Sequence, residues 1–342
     1  MYRIGSIARS VVSLLILASR VSASGAQEIA CQHRTLPVSF RDARNLPIQD
    51  VTIADLVAKV HGKPIKIVSL APDLRPHRLV LSLDTSGSLG SPAVGERPTW
   101  KLEFDLARHF FEANRQKSQI ALLFFNDKVN SVIDFSQGNS AIENKFQQIA
   151  NDRDFVKKNV KGKTALRDAI LQGVQLLEHP TSADALYVLT DGGDNVSTHS
   201  GTDVSKRLEV TSVRLFAMLL QPETRHHSRP PEEETGPQEL SEISRKSGGE
   251  ILSAASRHGD QVALSANPDA KLKTEETLSR LYQTILQDSL LEIELPSPIA
   301  KNEHWELKLS TMARRQRKGV QITYPDTLIS CDSEVAGAGR RH

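Results

Sequence analysis

The chain has 342 residues, of which 39% are hydrophobic and 25% are charged, a composition typical of a folded protein with one large domain and a smaller unit. Its formal net charge is +2, from 43 basic and 41 acidic residues. This balance excludes a general electrostatic attraction to nucleic acid or anionic membranes, so we expect no nucleic-acid partner. We interpret the basic cluster at Arg314 to Lys318 as a solvated patch on a strand edge or loop.

Residues 1–26 have the pattern of an export signal. Arg3 and Arg9 provide a positively charged end, and Val11 to Ala18 form an apolar stretch that is too short to span a bilayer. Small residues suitable for cleavage follow this stretch, and the alternative is an uncleaved leader. The pattern predicts an exported protein, periplasmic or extracellular, with no transmembrane span after cleavage. Without the signal, 40 basic and 41 acidic residues remain.

The two cysteines, Cys31 and Cys331, lie near opposite ends of the chain. In an oxidising compartment such a pair favours one disulfide. The bond would close a loop of about 300 residues and stabilise the fold by roughly 5 kcal/mol, because it restricts the unfolded chain. The alternative is two unrelated free thiols.

The N-terminal flank, residues 27–75, is predicted to form β-strands. Leu36 to Asp50 alternates between apolar and polar residues around turn-forming residues, and Pro64 to Leu70 continues the pattern. The C-terminal flank, residues 289–342, has the same character. We therefore expect the two flanks to pack together as one small β-sandwich-like element.

Residues 76–288 are predicted to form an α/β domain. Short, almost continuous apolar runs indicate strands that are buried on both faces, as in a parallel sheet. Helical spacing of apolar residues separates these runs, and Val129 to Phe135 is predicted to be the antiparallel partner of the strand before it. The alternation predicts a doubly wound sheet flanked by helices. The predicted strands are Arg78 to Leu83, Ile120 to Phe125, Ala185 to Thr190 and Ser212 to Leu219; the predicted helices contain Trp100 to Phe111, Leu166 to Leu177, Gln238 to Lys246 and Thr274 to Gln287.

One segment of low complexity, Gln221 to Gln238, is rich in Pro, Glu and Arg and poor in apolar residues. This composition predicts a mobile loop. The loop would follow the carboxyl end of a predicted strand, where residues that set ligand specificity are often found.

Oxygen-bearing side chains follow two of the predicted strands. The string Asp84-Thr85-Ser86-Gly87-Ser88 comes directly after the first buried strand, and Asp191 follows a later one. Thr164 precedes a predicted helix. Because ligands bind at the carboxyl ends of strands in a doubly wound sheet, these groups are expected to meet at one rim.

This donor set indicates a hard divalent cation. Mg²⁺ takes oxygen ligands and keeps several waters, whereas zinc sites use thiolates and imidazoles. Three neutral hydroxyls and two carboxylates would leave the cation under-neutralised, so an open coordination position should attract an external carboxylate. Taken singly, each residue has a structural alternative, since Ser86, Ser88 and Thr164 are common helix caps and Asp191 suits an ordinary turn.

The five residues together resemble the complete metal-ion-dependent adhesion site of the von Willebrand factor type A family. The resemblance covers about residues 76–288 and implies metal binding by Ser86, Ser88 and Thr164, with the two acids often acting through water. It further implies one bound Mg²⁺, or Mn²⁺ or Ca²⁺, and a protein partner that presents an acidic residue. The flanking strands are similar to those of exported bacterial proteins that carry this domain. The family function is adhesion or interaction, so no catalysis is expected.

Two alternatives remain open. The chain could be a scaffold whose metal site has lost its function. It could also be a magnesium-dependent phosphotransferase-like enzyme, although such enzymes need a second acid two residues after the first, and that position holds Ser86.

Overall fold

The computed structural model of the protein describes most of the chain between Gln32 and Ser330. Cys31, Cys331 and the proposed export signal lie outside the described residues, so the disulfide and the signal stay predictions. Within the described part of the chain, no helix is long and apolar enough to cross a membrane. The described residues are 32–43, 46–90, 99–221, 231–256, 262–265, 282 and 286–330.

A seven-stranded sheet forms the centre of the α/β unit, with the spatial order β10-β9-β8-β7-β4-β5-β6. The five inner strands are parallel, and the two edge strands β6 and β10 are antiparallel to their neighbours. The predicted doubly wound α/β fold and the antiparallel partner after Phe125 are both confirmed. The strands are β4 (His77–Asp84), β5 (Ser118–Phe125), β6 (Val129–Ile133), β7 (Ala185–Thr190), β8 (Arg214–Gln221), β9 (Ile251–Ser256) and β10 (Val262–Ser265).

Helices cover both faces of this sheet because the inner strands are apolar on both faces. Leu79, Leu81 and Leu83 share one buried cluster with α1 and α2, whereas Val80 belongs to the cluster that contains α4, α5 and α6. Alternate residues of one strand thus enter opposite halves of the core. The helices of this unit are α1 (Thr99–Asn114), α2 (Gly138–Asn151), α3 (Phe155–Asn159), α4 (Leu166–Leu176), α5 (Gly201–Thr211) and α6 (Pro231–Lys246).

Helix α6 corrects one sequence prediction. Gln221 to Gln238 was predicted to be a loop throughout, but residues 231–238 are helical. The helix begins at a proline, which is well suited to a first turn because its missing N–H has no helical partner there. Pro237 lies inside the helix, which composition alone did not predict. The predicted helix at Thr274 to Gln287 lies largely outside the described residues.

The two flanks build a second seven-stranded sheet, in the order β13-β1-β11-β3-β2-β12-β14. The prediction that both flanks form one β element is thereby confirmed. The sheet is antiparallel and curls around its own apolar core, which includes Phe40, Leu291 and Trp305. The basic residues Arg314 and Arg315 end a short helix, α7, rather than a strand or loop. The elements of this antiparallel unit are β1 (His33–Arg41), β2 (Leu56–Val60), β3 (Lys63–Pro72), β11 (Ser289–Glu294), β12 (Glu303–Leu309), α7 (Thr311–Gln316), β13 (Gln321–Thr323) and β14 (Thr327–Leu328).

Candidate metal centre

The predicted site residues lie at the carboxyl ends of two neighbouring strands. Asp84 is the last residue of β4, and Asp191 directly follows β7. Because β4 and β7 are paired in parallel, their carboxyl ends meet at the same edge of the sheet. We call this edge, with the loops that follow it, the rim.

The loop after β4 is folded back by its own hydrogen bonds. The fully buried carboxylate of Asp84 accepts the backbone N–H of Ser86 at 2.8 Å and the hydroxyl of Thr190 at 2.7 Å. The Ser86 and Ser88 hydroxyl oxygens are 3.1 Å apart. The loop therefore gathers one carboxylate and two hydroxyls within a few residues and ties them to the end of β7.

The segment that carries Thr164 is joined to this loop through the backbone. The N–H of Lys161 donates to the carbonyl of Thr85 at 2.9 Å, and the N–H of Gly87 donates to the carbonyl of Gly162 at 3.0 Å. Thr164 in turn accepts the N–H of Asn195 at 3.0 Å and donates its own N–H to the Asn195 side chain at 2.9 Å. The three loops of the rim are thus held in one hydrogen-bonded arrangement.

A cavity of ≈ 290 Å³ opens at the centre of the rim. Ser88, Thr164 and Asp191 line it, whereas Asp84 and Ser86 do not. The Ser86 hydroxyl oxygen lies beside that of Ser88, and the Asp84 carboxylate is hydrogen-bonded to Ser86 and to Thr190, which precedes Asp191. Three of the five predicted residues therefore share one cavity, and the other two are linked to this loop and strand end by hydrogen bonds. The other lining residues are Gly162, Lys163, Gly193 and Asn195.

Thr164 and Ser86 do not act as helix caps, which was the structural alternative to a metal-binding role for each. Thr164 does not cap helix α4, whose N-cap is Ala165 and has no side-chain cap. Ser86 precedes a short 3-10 turn, and its side chain does not cap that turn. Among the described residues, the Thr164 hydroxyl has no hydrogen-bond partner although Thr164 is only 4% exposed. This hydroxyl is therefore available to a ligand.

Buried acidic side chains lie behind the cavity. Burial raises the pKa of Asp84 to about 7, and repulsion from the Asp191 carboxylate adds to the effect. Glu103 of helix α1 is also fully buried and accepts the Asp84 N–H at 2.7 Å. Burial raises the pKa of Glu103 well above its ordinary value, and the neighbouring Asp84 contributes. Acids so close together favour a cation at this edge of the sheet.

The donor chemistry fits a hard divalent cation. The groups at the cavity are hydroxyl and carboxylate oxygens, which Mg²⁺, Mn²⁺ and Ca²⁺ prefer. In the described part of the chain, no three His, Cys, Asp or Glu side chains gather closely enough to form a metal site of their own. A cation at the rim would therefore need the three hydroxyls in addition to the two carboxylates.

Helix α6 supports the turn that carries Asp191. A Cβ atom at Gly236 would lie 2.0 Å from the carbonyl oxygen of Gly192, so only glycine allows this approach. Gly192 itself has a φ of +91° and packs against Pro237 and Leu219. The backbone on one side of the metal residues is thus fixed by close contact with α6.

The match to known proteins agrees with this arrangement. Residues 79–193 match the von Willebrand factor type A domain. The matched stretch includes all five residues of the candidate centre. Domains of this type often mediate protein interactions. No curated protein matches the chain.

Several solved structures are distantly similar. A von Willebrand factor type A protein from Catenulispora acidiphila is 9% identical, with 87% of this chain and 73% of that chain covered and a TM-score of 0.39. The conserved hypothetical protein BatB from Bacteroides thetaiotaomicron is 14% identical, with coverages of 53% and 91% and a TM-score of 0.37. The PilB minor pilin from Streptococcus sanguinis is 14% identical, with coverages of 62% and 60% and a TM-score of 0.38. Similarity of this strength gives no information on what the chain binds.

Four residues of the rim were not predicted from the sequence: Glu103, Thr190, Asn195 and Lys163. Glu103 lies on the apolar face of α1, and an acid at such a position was the one available signal. Thr190 and Asn195 flank the predicted Asp191 but belong to no spacing pattern. Only the fold shows that their side chains contact Asp84 and Thr164.

Proposed function

We propose that the chain is a non-catalytic binding protein whose rim uses one divalent cation to bind an acidic side chain of a protein partner. The observation that carries the proposal is the set of oxygens around one cavity, which Thr164 lines and in which its hydroxyl has no hydrogen-bond partner among the described residues. A hydroxyl at the cavity that neither caps a helix nor bonds to a described residue is free to coordinate a cation.

The residues of the rim have distinct roles in this proposal. Ser86, Ser88 and Thr164 would hold the cation, with Asp84 and Asp191 neutralising most of its charge directly or through water. Glu103 and Thr190 would fix Asp84, since each forms a hydrogen bond with it. When bound, the cation supplies a coordination position for an outside carboxylate. Mg²⁺ is the expected cation, with Mn²⁺ or Ca²⁺ as possible replacements.

We further propose that the protein acts after export, in the periplasm or outside the cell. This part of the proposal depends on the signal pattern in residues 1–26 and on the two cysteines. Edman sequencing or mass spectrometry of the protein from its native compartment would show whether the N-terminus is removed.

The central test is calorimetric titration of the purified protein with Mg²⁺ and Mn²⁺. We expect one binding site in the wild type and none in Asp84→Asn, which keeps the shape of the side chain but removes its charge. Asp50→Asn provides a control away from the rim, because Asp50 is an exposed acid in the segment between β1 and β2, where it pairs with Arg317. Absence of binding to the folded wild type at millimolar Mg²⁺ and Mn²⁺ would favour the scaffold alternative instead.

A second experiment concerns the partner. Wild type and Asp84→Asn are used as baits against the native envelope or culture medium, with Mg²⁺ and with chelator. We expect a partner that the wild type retains only with Mg²⁺. A partner that binds equally well in chelator would contradict the metal-bridged mechanism.

A further inference from the structure

A run of basic residues lies along one side of the rim. Residues 153–163 contain five basic residues and a single acid, whereas the whole chain has almost equal numbers of both. The four lysines of the run are all exposed: Lys157, Lys158, Lys161 and Lys163.

The run is fixed to the candidate metal centre through its backbone. The Lys161 N–H donates to the Thr85 carbonyl, and the Lys161 carbonyl accepts the side chain of Asn126 at 3.0 Å. Lys163 lines the central cavity together with Thr164 and Asp191. The backbone of Lys161 and the side chain of Lys163 therefore lie beside the proposed cation position.

The lysines differ in how they are paired. Lys158 forms ion pairs with Asp152 and Asp154, at 3.4 and 3.7 Å. In contrast, Lys161 and Lys163 form no ion pair with any described residue, although an exposed acid, Asp127, packs against Gly162 between them. The ammonium groups of Lys161 and Lys163 are thus not engaged in ion pairs with described residues.

We propose that the partner presents a cluster of acidic residues to the rim, so that one carboxylate reaches the metal position and others pair with Lys161 and Lys163. This inference rests on the proposed function and narrows it from one acidic side chain to an acidic segment. Such pairs would contribute to both affinity and association rate, and salt would weaken them. An acidic protein segment is favoured over nucleic acid because the basic surface is confined to one short run in a nearly neutral chain.

The test uses two labelled peptides of Gly and Ser, one with a single Glu and one with three Glu at alternate positions. Binding is measured by fluorescence anisotropy in Mg²⁺ and in chelator. For the wild type in Mg²⁺, we expect the three-Glu peptide to bind about tenfold more tightly, from two added surface ion pairs. Raising the salt concentration should reduce this difference.

The variant Lys161→Gln/Lys163→Gln should lose most of the preference for the three-Glu peptide. Its matched control is Lys117→Gln/Lys206→Gln, which removes the same charge from two other exposed positions; Lys117 precedes β5, at the opposite end of the sheet. The control should keep the preference. The inference would be overturned if the two double variants preferred the three-Glu peptide to the same extent. It would also be overturned if the wild type bound both peptides in Mg²⁺ without preferring the three-Glu peptide.

The remaining outcomes separate the inference from the proposed function. If neither peptide binds more tightly in Mg²⁺ than in chelator and no binding depends on Lys161 and Lys163, the proposed function fails and the inference fails with it. If the three-Glu peptide binds equally well in chelator but only through Lys161 and Lys163, the basic run is supported and the metal bridge is overturned. A short oligophosphate is also tested as a competitor of the labelled peptide at equal ionic strength. If it competes as strongly as unlabelled three-Glu peptide, the choice of carboxylates as the ligand groups is overturned.

Discussion

The two ends of the parallel sheet differ in whether particular charged and hydroxyl side chains are paired. At the amino end, Arg78 donates to the Asp184 carboxylate at 2.6 and 3.1 Å, and Arg214 and Asp288 form an ion pair that is almost fully buried. At the carboxyl end, the Thr164 hydroxyl and the Lys161 and Lys163 ammonium groups have no such partners among the described residues.

The difference follows from what each end contacts. The amino end faces the antiparallel sheet, and Asp288 immediately precedes β11 of that sheet. Buried charges there need partners, because an unpaired buried charge costs several kcal/mol. The carboxyl end faces outward, so its polar groups can remain available to a ligand. Paired groups are thus expected to stabilise the fold, and unpaired groups to bind.

The largest expected effect is at the amino end. Asp288→Ala would leave the buried guanidinium of Arg214 without its partner, so the free energy of unfolding should fall by about 3–5 kcal/mol. Urea denaturation measures this change, and Mg²⁺ titration of the folded variant should give the wild-type affinity. The double variant Arg214→Met/Asp288→Leu is the control and should recover most of the loss. A loss of Mg²⁺ binding in folded Asp288→Ala would show that the two ends are not separate.

The next effect is at the rim. Asp84→Asn should weaken Mg²⁺ binding by at least about a hundredfold, because changes in the groups around a metal commonly cost that much. The free energy of unfolding without metal should not fall, since burial and Asp191 already disfavour the charged form of Asp84. Calorimetry and urea denaturation test the two parts. A variant that binds Mg²⁺ normally would remove Asp84 from the centre.

A smaller effect is expected from the contact behind Asp191. In Gly236→Ala, the new methyl group would meet the Gly192 carbonyl, so the turn or helix α6 must shift. We expect Mg²⁺ affinity to fall by about tenfold, as for displaced outer-shell groups. Gly201→Ala is an informative comparison, because its methyl group would meet only the flexible end of the Glu239 side chain. Equal affinities in both variants would show that α6 does not position Asp191.

The smallest effect concerns pH. The folded pKa of Asp84 is raised to about 7 from the ordinary value of 3.8, so the unfolded chain loses this proton at lower pH than the folded one. Metal-free protein should therefore lose stability as the pH rises from about 4 to about 7. Mg²⁺ at about five times its Kd should restore about 1 kcal/mol near pH 7 and less near pH 5. Thermal unfolding with Mg²⁺ or chelator measures this difference, which should be absent in Asp84→Asn.

The sequence determined the positions of the main strands and the identity of the five candidate ligands. Buried parallel strands such as Ala185–Thr190 must be apolar on both faces, so a short apolar run marks them directly. The spacing of Asp84, Ser86 and Ser88 is local as well, because one loop carries all three. Order along the chain then placed Thr164 and Asp191 at the same edge.

Only the tertiary structure decided which polar groups are paired. Glu103, Thr190 and Asn195 contact the site across distances in sequence that no local pattern encodes. Composition also suggested a loop where α6 forms. The helix forms there because the packing of Gly236 and Pro237 on the Gly192 turn outweighs the weak helical preference of the segment. Hydrogen bonds and charges depend on what lies nearby in space, and that is set by packing rather than by neighbours in the chain.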